Sequence, residues 1–139
     1  MKKAVFVDTN VLLDVILERS QFLNDSRQIL MLGDEGKIDL YASAITIANC
    51  AYFARKFGGN PHKCVELILT WVKVIDLTKN HFEQVLTSKF VDFEDGLQFF
   101  SAREIKGVDV ILTRNVNHLK SSLIPLLTPT DFLQTLSKS

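Results

Sequence analysis

Ala4-Val5-Phe6-Val7-Asp8-Thr9-Asn10-Val11-Leu12 is the stretch that decides the fold. Four consecutive apolar residues of strand-forming type, closed by a polar triplet, predict a buried β-strand. Val11, Leu12, Val15 and Ile16 then recur at helical spacing, so the strand turns directly into a helix with Asn10 as its expected N-cap. A buried strand followed at once by a helix is how a parallel α/β sheet begins. Asp8 thereby falls at the carboxyl edge of that sheet, where open α/β folds bind ligands. The alternative reading of Asp8 is a turn residue or a surrogate cap beside Asn10.

Outward from this unit the pattern repeats. Phe22, Ile29, Leu30 and Leu32 mark a second helix that stops near Gly33 to Gly36, and Ile38-Asp39-Leu40-Tyr41-Ala42 reads as a second strand. A helix is expected from Ala44 to Phe57, then a break at Gly58-Gly59-Asn60-Pro61, with Pro61 in the first turn of a helix reaching Trp71. Val72 to Leu77 reads as a third strand, and Thr78 caps another helix. Asp92-Phe93-Glu94-Asp95 starts a helix that Gly107 ends, and Asp109 to Thr113 is a fourth strand. After a short segment around Leu126, Thr128-Pro129 opens the last helix. The expectation is a single α/β domain over residues 1–139, with a parallel sheet of about four or five strands flanked by helices on both faces.

Composition agrees with one compact domain: 139 residues, 47% apolar and 23% charged. Sixteen Lys plus Arg balance sixteen Asp plus Glu, which argues against coating DNA or an anionic membrane through bulk charge. Charge is nevertheless uneven. Residues 51–80 hold five basic against two acidic side chains, and residues 81–111 hold three against six. A basic rim beside an acidic site suits a metal-dependent enzyme acting on a polyanion; scatter over solvated helix faces is the alternative. Cys50 and Cys64 form neither a CxxC pair nor a Cys/His array, which suggests no disulfide scaffold or zinc module. The apolar run after Met1-Lys2-Lys3 meets Asp8 too soon for a signal peptide, and no stretch is long enough to span a membrane, so a cytoplasmic protein is expected.

The candidate chemistry gathers at few places. Asp8 stands at a strand end, and Asp92, Glu94 and Asp95 form a second acidic group at a helix start, where Asp92 and Asp95 also have the spacing of a capping pair. Asn49 interrupts an apolar helix whose neighbours Ile45, Tyr52 and Phe53 imply a half-buried face, so its amide needs partners. Thr113-Arg114-Asn115 puts a hydroxyl, a cation and an amide after the fourth strand. Asp14 lies one turn along from Asn10, either near the cleft or on an exposed helix side.

With those residues in view, the chain resembles the PIN domain family, the PilT N-terminal group that includes VapC-type toxins. The resemblance is carried by residues 5–14, by Ser43-Ala44-Ile45-Thr46-Ile47-Ala48-Asn49, by Asp92-Phe93-Glu94-Asp95-Gly96-Leu97-Gln98 and by Asp109-Val110-Ile111-Leu112-Thr113-Arg114-Asn115. It implies an acidic pocket for Mg²⁺ or Mn²⁺ and hydrolysis of RNA that leaves a 5′-phosphate. Asp8 matches the family's first metal-binding acid and Asp95 its third, while Thr113 and Asn115 match the polar turn that closes the pocket. The second acid falls on Asn49, and Asn115 stands where many members have Asp.

By resemblance, then, Asp8, Asp95, Asn49 and Asn115 form the catalytic set, with Asp8 and Asp95 as metal ligands. Thr9, Asn10, Asp14, Asp92, Glu94 and Thr113 are supporting candidates; Arg114, Arg55, Lys56 and Lys63 are candidates to grip phosphates, and Tyr52 and Phe53 to stack a base. The expected partners are RNA, an antitoxin protein and a second copy of the chain. Two readings compete: a metal-dependent ribonuclease, more narrowly the toxin of a toxin–antitoxin pair, and a PIN-fold RNA- or protein-binding module in which Asn49 and Asn115 have weakened catalysis. A haloacid-dehalogenase-type phosphatase ranks behind, because its second Asp would fall on Asn10, and no GxGxxG follows the first strand to suggest a dinucleotide enzyme.

Overall fold

The computed structural model describes residues 2–19, 21–114, 116–119 and 122–138. Strands β1 (Lys3–Val7), β2 (Ile38–Ser43), β3 (Lys73–Ile75), β4 (Val108–Leu112) and β5 (Leu126–Leu127) form one sheet in the order β3-β2-β1-β4-β5. Every pairing is parallel. The helices among the described residues are α1 (Thr9–Ile16), α2 (Leu23–Asp34), α3 (Ala44–Lys56), α4 (Pro61–Trp71), α5 (Lys79–Leu86), α6 (Phe93–Arg103) and α7 (Pro129–Ser137). None of them is long and apolar enough to cross a membrane.

Strand alternation explains the layers. Val5 and Val7 of β1 share one core cluster with Leu40, Val110 and Leu112, packed against Leu12 of α1, Ile29 of α2, Cys50 of α3, Ile68 of α4 and Phe132 of α7. Phe6 points the other way and joins Ile111, Val85 of α5, and Leu97 and Phe99 of α6. A strand buried on both faces must be apolar at every position, which is why residues 4–7 show no polar alternation.

The third strand is shorter than the expected Val72 to Leu77. Val72 donates its N–H to Ile68 O and so completes α4, and β3 is an edge strand paired only with β2. The N-cap of α1 is Asp8 rather than Asn10. Asp8 N–H pairs with Leu112 O across the sheet at 2.9 Å, and its carboxylate accepts from Thr9 N–H at 2.7 Å. The sheet hydrogen bonding thus reaches Asp8, the one residue between strand and helix.

One glycine sets how α6 lies on α5. A Cβ added at Gly96 would stand 2.7 Å from Val85 Cγ1 and 3.0 Å from its Cγ2. Val85 is buried and β-branched, so it has few rotamers into which to retreat. Gly96→Ala should therefore destabilise the protein by about 1–3 kcal/mol despite the better helix propensity of alanine, read as a lower urea midpoint with an unchanged slope.

Candidate functional site

The sheet order places β1 at its centre, with the chain running first to β2 and β3 and later to β4 and β5 on the other side. The crevice at the carboxyl ends of β1 and β4 is the switch point of such a sheet. Asp8 follows β1 and Thr113 follows β4, and the Thr113 hydroxyl donates to Asp8 Oδ2 at 3.1 Å. Above them lies a cleft of about 380 Å³ lined by Asp8, Thr9, Asn10, Asn49, Phe53, Asp92, Glu94 and Asp95, with Leu13 and Arg19 at one side.

Each acid has a local reason for its position. Asp8 caps α1. Asp92 caps α6 and accepts from Asp95 N–H at 2.9 Å, the capping relation its spacing suggested. Both carboxylates therefore sit at helix N-termini, whose partial positive charge steadies them. Glu94 leans across to α3, where Asn49 Nδ2 donates to its Oε1 at 2.8 Å and Thr9 Oγ1 donates to the same oxygen at 3.5 Å.

Beneath the acids is a buried polar floor. Gln98 Nε2 donates to Thr9 Oγ1 at 3.1 Å and to Thr46 Oγ1 at 2.9 Å, and the two hydroxyls lie 2.9 Å apart. Each hydroxyl has a single proton to give. Because the Thr9 proton goes to Glu94, the proton between the two hydroxyls comes from Thr46. The chain of donors ends on the Glu94 carboxylate and favours its ionised form. Burial works against this and pushes the Glu94 carboxyl up, with the Asp8 and Asp92 charges adding to the rise, while Asn49 and Thr9 draw it down.

Of the residues singled out from sequence, Asp8, Asp92, Glu94, Asp95, Asn49, Thr9 and Asn10 meet in the cleft. Asn115 lies outside the described residues. Arg55 and Lys56 are exposed and do not line the cleft; Lys56 Nζ instead covers the rings of Phe53 and Phe57 at 5.9 and 5.8 Å. Phe53 does line the cleft, and Tyr52 is exposed beside it with the rings 5.2 Å apart and nearly perpendicular.

Asp14 is fully buried away from the cleft, where it accepts from Ser26 Oγ at 3.1 Å. Arg114, expected to grip a phosphate, turns inward to this carboxylate. Its Nε lies 3.5 Å from Asp14 Oδ1, and its guanidinium stacks 4.3 Å from the Phe22 ring centre. Sequence reading missed Thr46, Gln98 and Arg19. The first two carried a signal: Thr46 is one helical turn before Asn49, and Gln98 one turn after Glu94, so each shares a face with a candidate residue.

The donor set at the cleft is hard oxygen throughout, the chemistry that Mg²⁺ and Mn²⁺ prefer. Among the described residues, no three His, Cys, Asp or Glu side chains stand together so that they could jointly hold a metal ion. Mg²⁺ does not require three, since it is commonly held by one or two carboxylates and keeps several waters.

A family model for the PIN domain matches residues 4–117 of this chain. No curated protein sequence matches it significantly. Among solved structures, the VapBC2 complex from Rickettsia felis bound to a DNA fragment from its promoter is similar, with a TM-score of 0.68 at 15% identity over 90% of this chain and 98% of that one. A toxin–antitoxin complex from Klebsiella pneumoniae aligns with a TM-score of 0.65 at 19% identity, over 90% and 97% of the two chains. At these identities the likeness is one of fold.

Proposed function

The chain belongs to the PIN domain family, and from that premise we propose that it is a metal-dependent ribonuclease, the toxin of a toxin–antitoxin pair. The observation that carries this reading is the convergence of Asp8, Asp92, Glu94 and Asp95 on one cleft at the sheet's carboxyl edge. So many carboxylates in one place repel one another, and a divalent cation relieves that repulsion. The similar folds solved in toxin–antitoxin complexes support an antitoxin as partner.

In this reading Asp8 and Asp95 hold Mg²⁺ or Mn²⁺, directly or through water. The bound cation supplies positive charge to the phosphodiester and acidifies water for attack. The chain's own groups do the positioning. Thr9 N–H and Thr113 Oγ1 keep the Asp8 oxygens fixed, and Asn49 with Thr9 keeps Glu94 over the cleft. Glu94 thereby brings to the α3 side of the site the negative charge that Asn49 itself does not carry. Asn10 faces the same space and can orient water or a phosphate oxygen. Arg55 and Lys56 would meet phosphates farther along the strand.

A second reading has its own observation in favour. Asn49 is an amide already committed to Glu94, which suits an RNA- or protein-binding module with a weakened metal site. One pair of measurements separates the two. The nuclease reading expects cleavage of single-stranded RNA in Mg²⁺ or Mn²⁺, none in EDTA, and a saturable heat on titration with Mn²⁺. RNA binding with neither cleavage nor a Mn²⁺ heat would leave the binding module standing and end the nuclease reading.

A further inference from the structure

We infer that Arg19 is the residue that grips the substrate's phosphate backbone at the acidic cleft, an inference that rests on the nuclease reading above. A polyanion approaching four carboxylates is repelled unless a cation meets it there. Among the described residues Arg19 is the only basic side chain lining the cleft.

Its position is anchored. Glu18 adopts φ 50°, in the left-handed region, and this turns the chain back at the end of α1. Arg19 N–H then donates to Asp14 O at 3.0 Å. The Arg19 guanidinium stands 3.7 Å from the buried Asp14 carboxylate, yet 32% of the side chain stays exposed. A guanidinium offers five N–H donors in a planar fork. Arg19 Nη1 approaches Asp14, and the partly exposed side chain lines the cleft, where such a planar set of donors suits a phosphate.

Asp14 thus holds two arginines with different fates. Both are partly exposed, Arg114 stacked on Phe22 and Arg19 lining the cleft. Phe53 lines the same cleft beside Arg19.

The test compares Arg19→Ala and Arg19→Gln with the wild type, using a short fluorescein-labelled single-stranded RNA. Arg19→Gln leaves Asp14 a hydrogen-bond donor and so guards against loss of the fold. Binding is read by anisotropy in EDTA from about 50 to about 200 mM salt, and KM is read from cleavage in Mn²⁺. Both variants should bind roughly tenfold more weakly at low salt, with the slope of log K against log salt reduced by about 0.7, the share of one phosphate contact on a single strand. Lys37→Ala is the control, since Lys37 is exposed at the start of β2, on the opposite edge of the sheet, and both quantities should stay unchanged. Unaltered affinity, KM and salt slope in the Arg19 variants would overturn the role of Arg19 and leave the nuclease reading intact. A wild-type protein that neither binds nor cleaves RNA would overturn both.

Discussion

Asp8→Asn is expected to cut RNA cleavage roughly 10³-fold or more while the protein stays folded. The two halves of this expectation have separate causes. Asparagine is as good an N-cap as aspartate, so the helix start should change by less than about 1 kcal/mol. The carboxamide oxygen still accepts from Thr9 N–H, and the Thr113 hydroxyl can rotate to accept from the new NH₂. What disappears is one unit of negative charge at the carboxyl edge of β1, where a hard divalent cation would be held. Asp95→Asn should behave alike, since it is the Asp95 backbone N–H that bonds Asp92. The rate of single-stranded RNA cleavage in Mn²⁺, with thermal unfolding run alongside, tests the pair. Cleavage by both variants at the wild-type rate would show that the activity arises outside this cleft.

Most of this architecture can be read from the order of short patterns. The β1 to α1 junction is legible because a two-sided strand cannot hide a polar residue, so Asp8 marks where burial ends. Asp95 and Asn49 could be placed by helical spacing, and the structure brings both to the Asp8 cleft. Three things were not legible, and each depends on tertiary contact. The cap of α1 shifted to Asp8 because the pairing of Asp8 N–H with Leu112 O carries the sheet one residue further. Gln98 and Thr46 looked like ordinary helix positions until two helices and the β1 junction met over them. The third is the choice between Arg114 and Arg19. Both are single arginines in polar turns, and only the positions of Phe22 and of the cleft decide which one stacks on an aromatic ring and which one lines the cleft.

The pairing of Arg114 with the buried Asp14 makes Arg114→Ala the second large effect, and a structural one. Asp14 is fully buried, and burial is the main influence pushing its carboxyl up; Arg114 is the strongest influence drawing it down, ahead of Ser26 and Arg19. Removing Arg114 strands a buried carboxylate, which costs about 3–5 kcal/mol where it cannot be relieved. Arg19 and Ser26 give partial relief, so the lower end applies, and a chain of this length should lose roughly 10 °C of melting temperature. The pH dependence follows from linkage. A carboxyl whose folded pKa lies above its ordinary value of 3.8 contributes its full stability below that value and loses it as pH rises through the folded pKa. Without Arg114 the folded pKa rises further, so the loss continues to higher pH and the deficit against wild type grows from acid to neutral solution. Asp14→Asn added to Arg114→Ala removes the stranded charge and should recover most of the stability at neutral pH, a coupling that two independent losses would not show. Thermal unfolding of the four proteins across pH decides it. A deficit that is small, flat with pH and additive with Asp14→Asn would mean that Asp14 does not need Arg114, and would return Arg114 to the candidates for holding substrate.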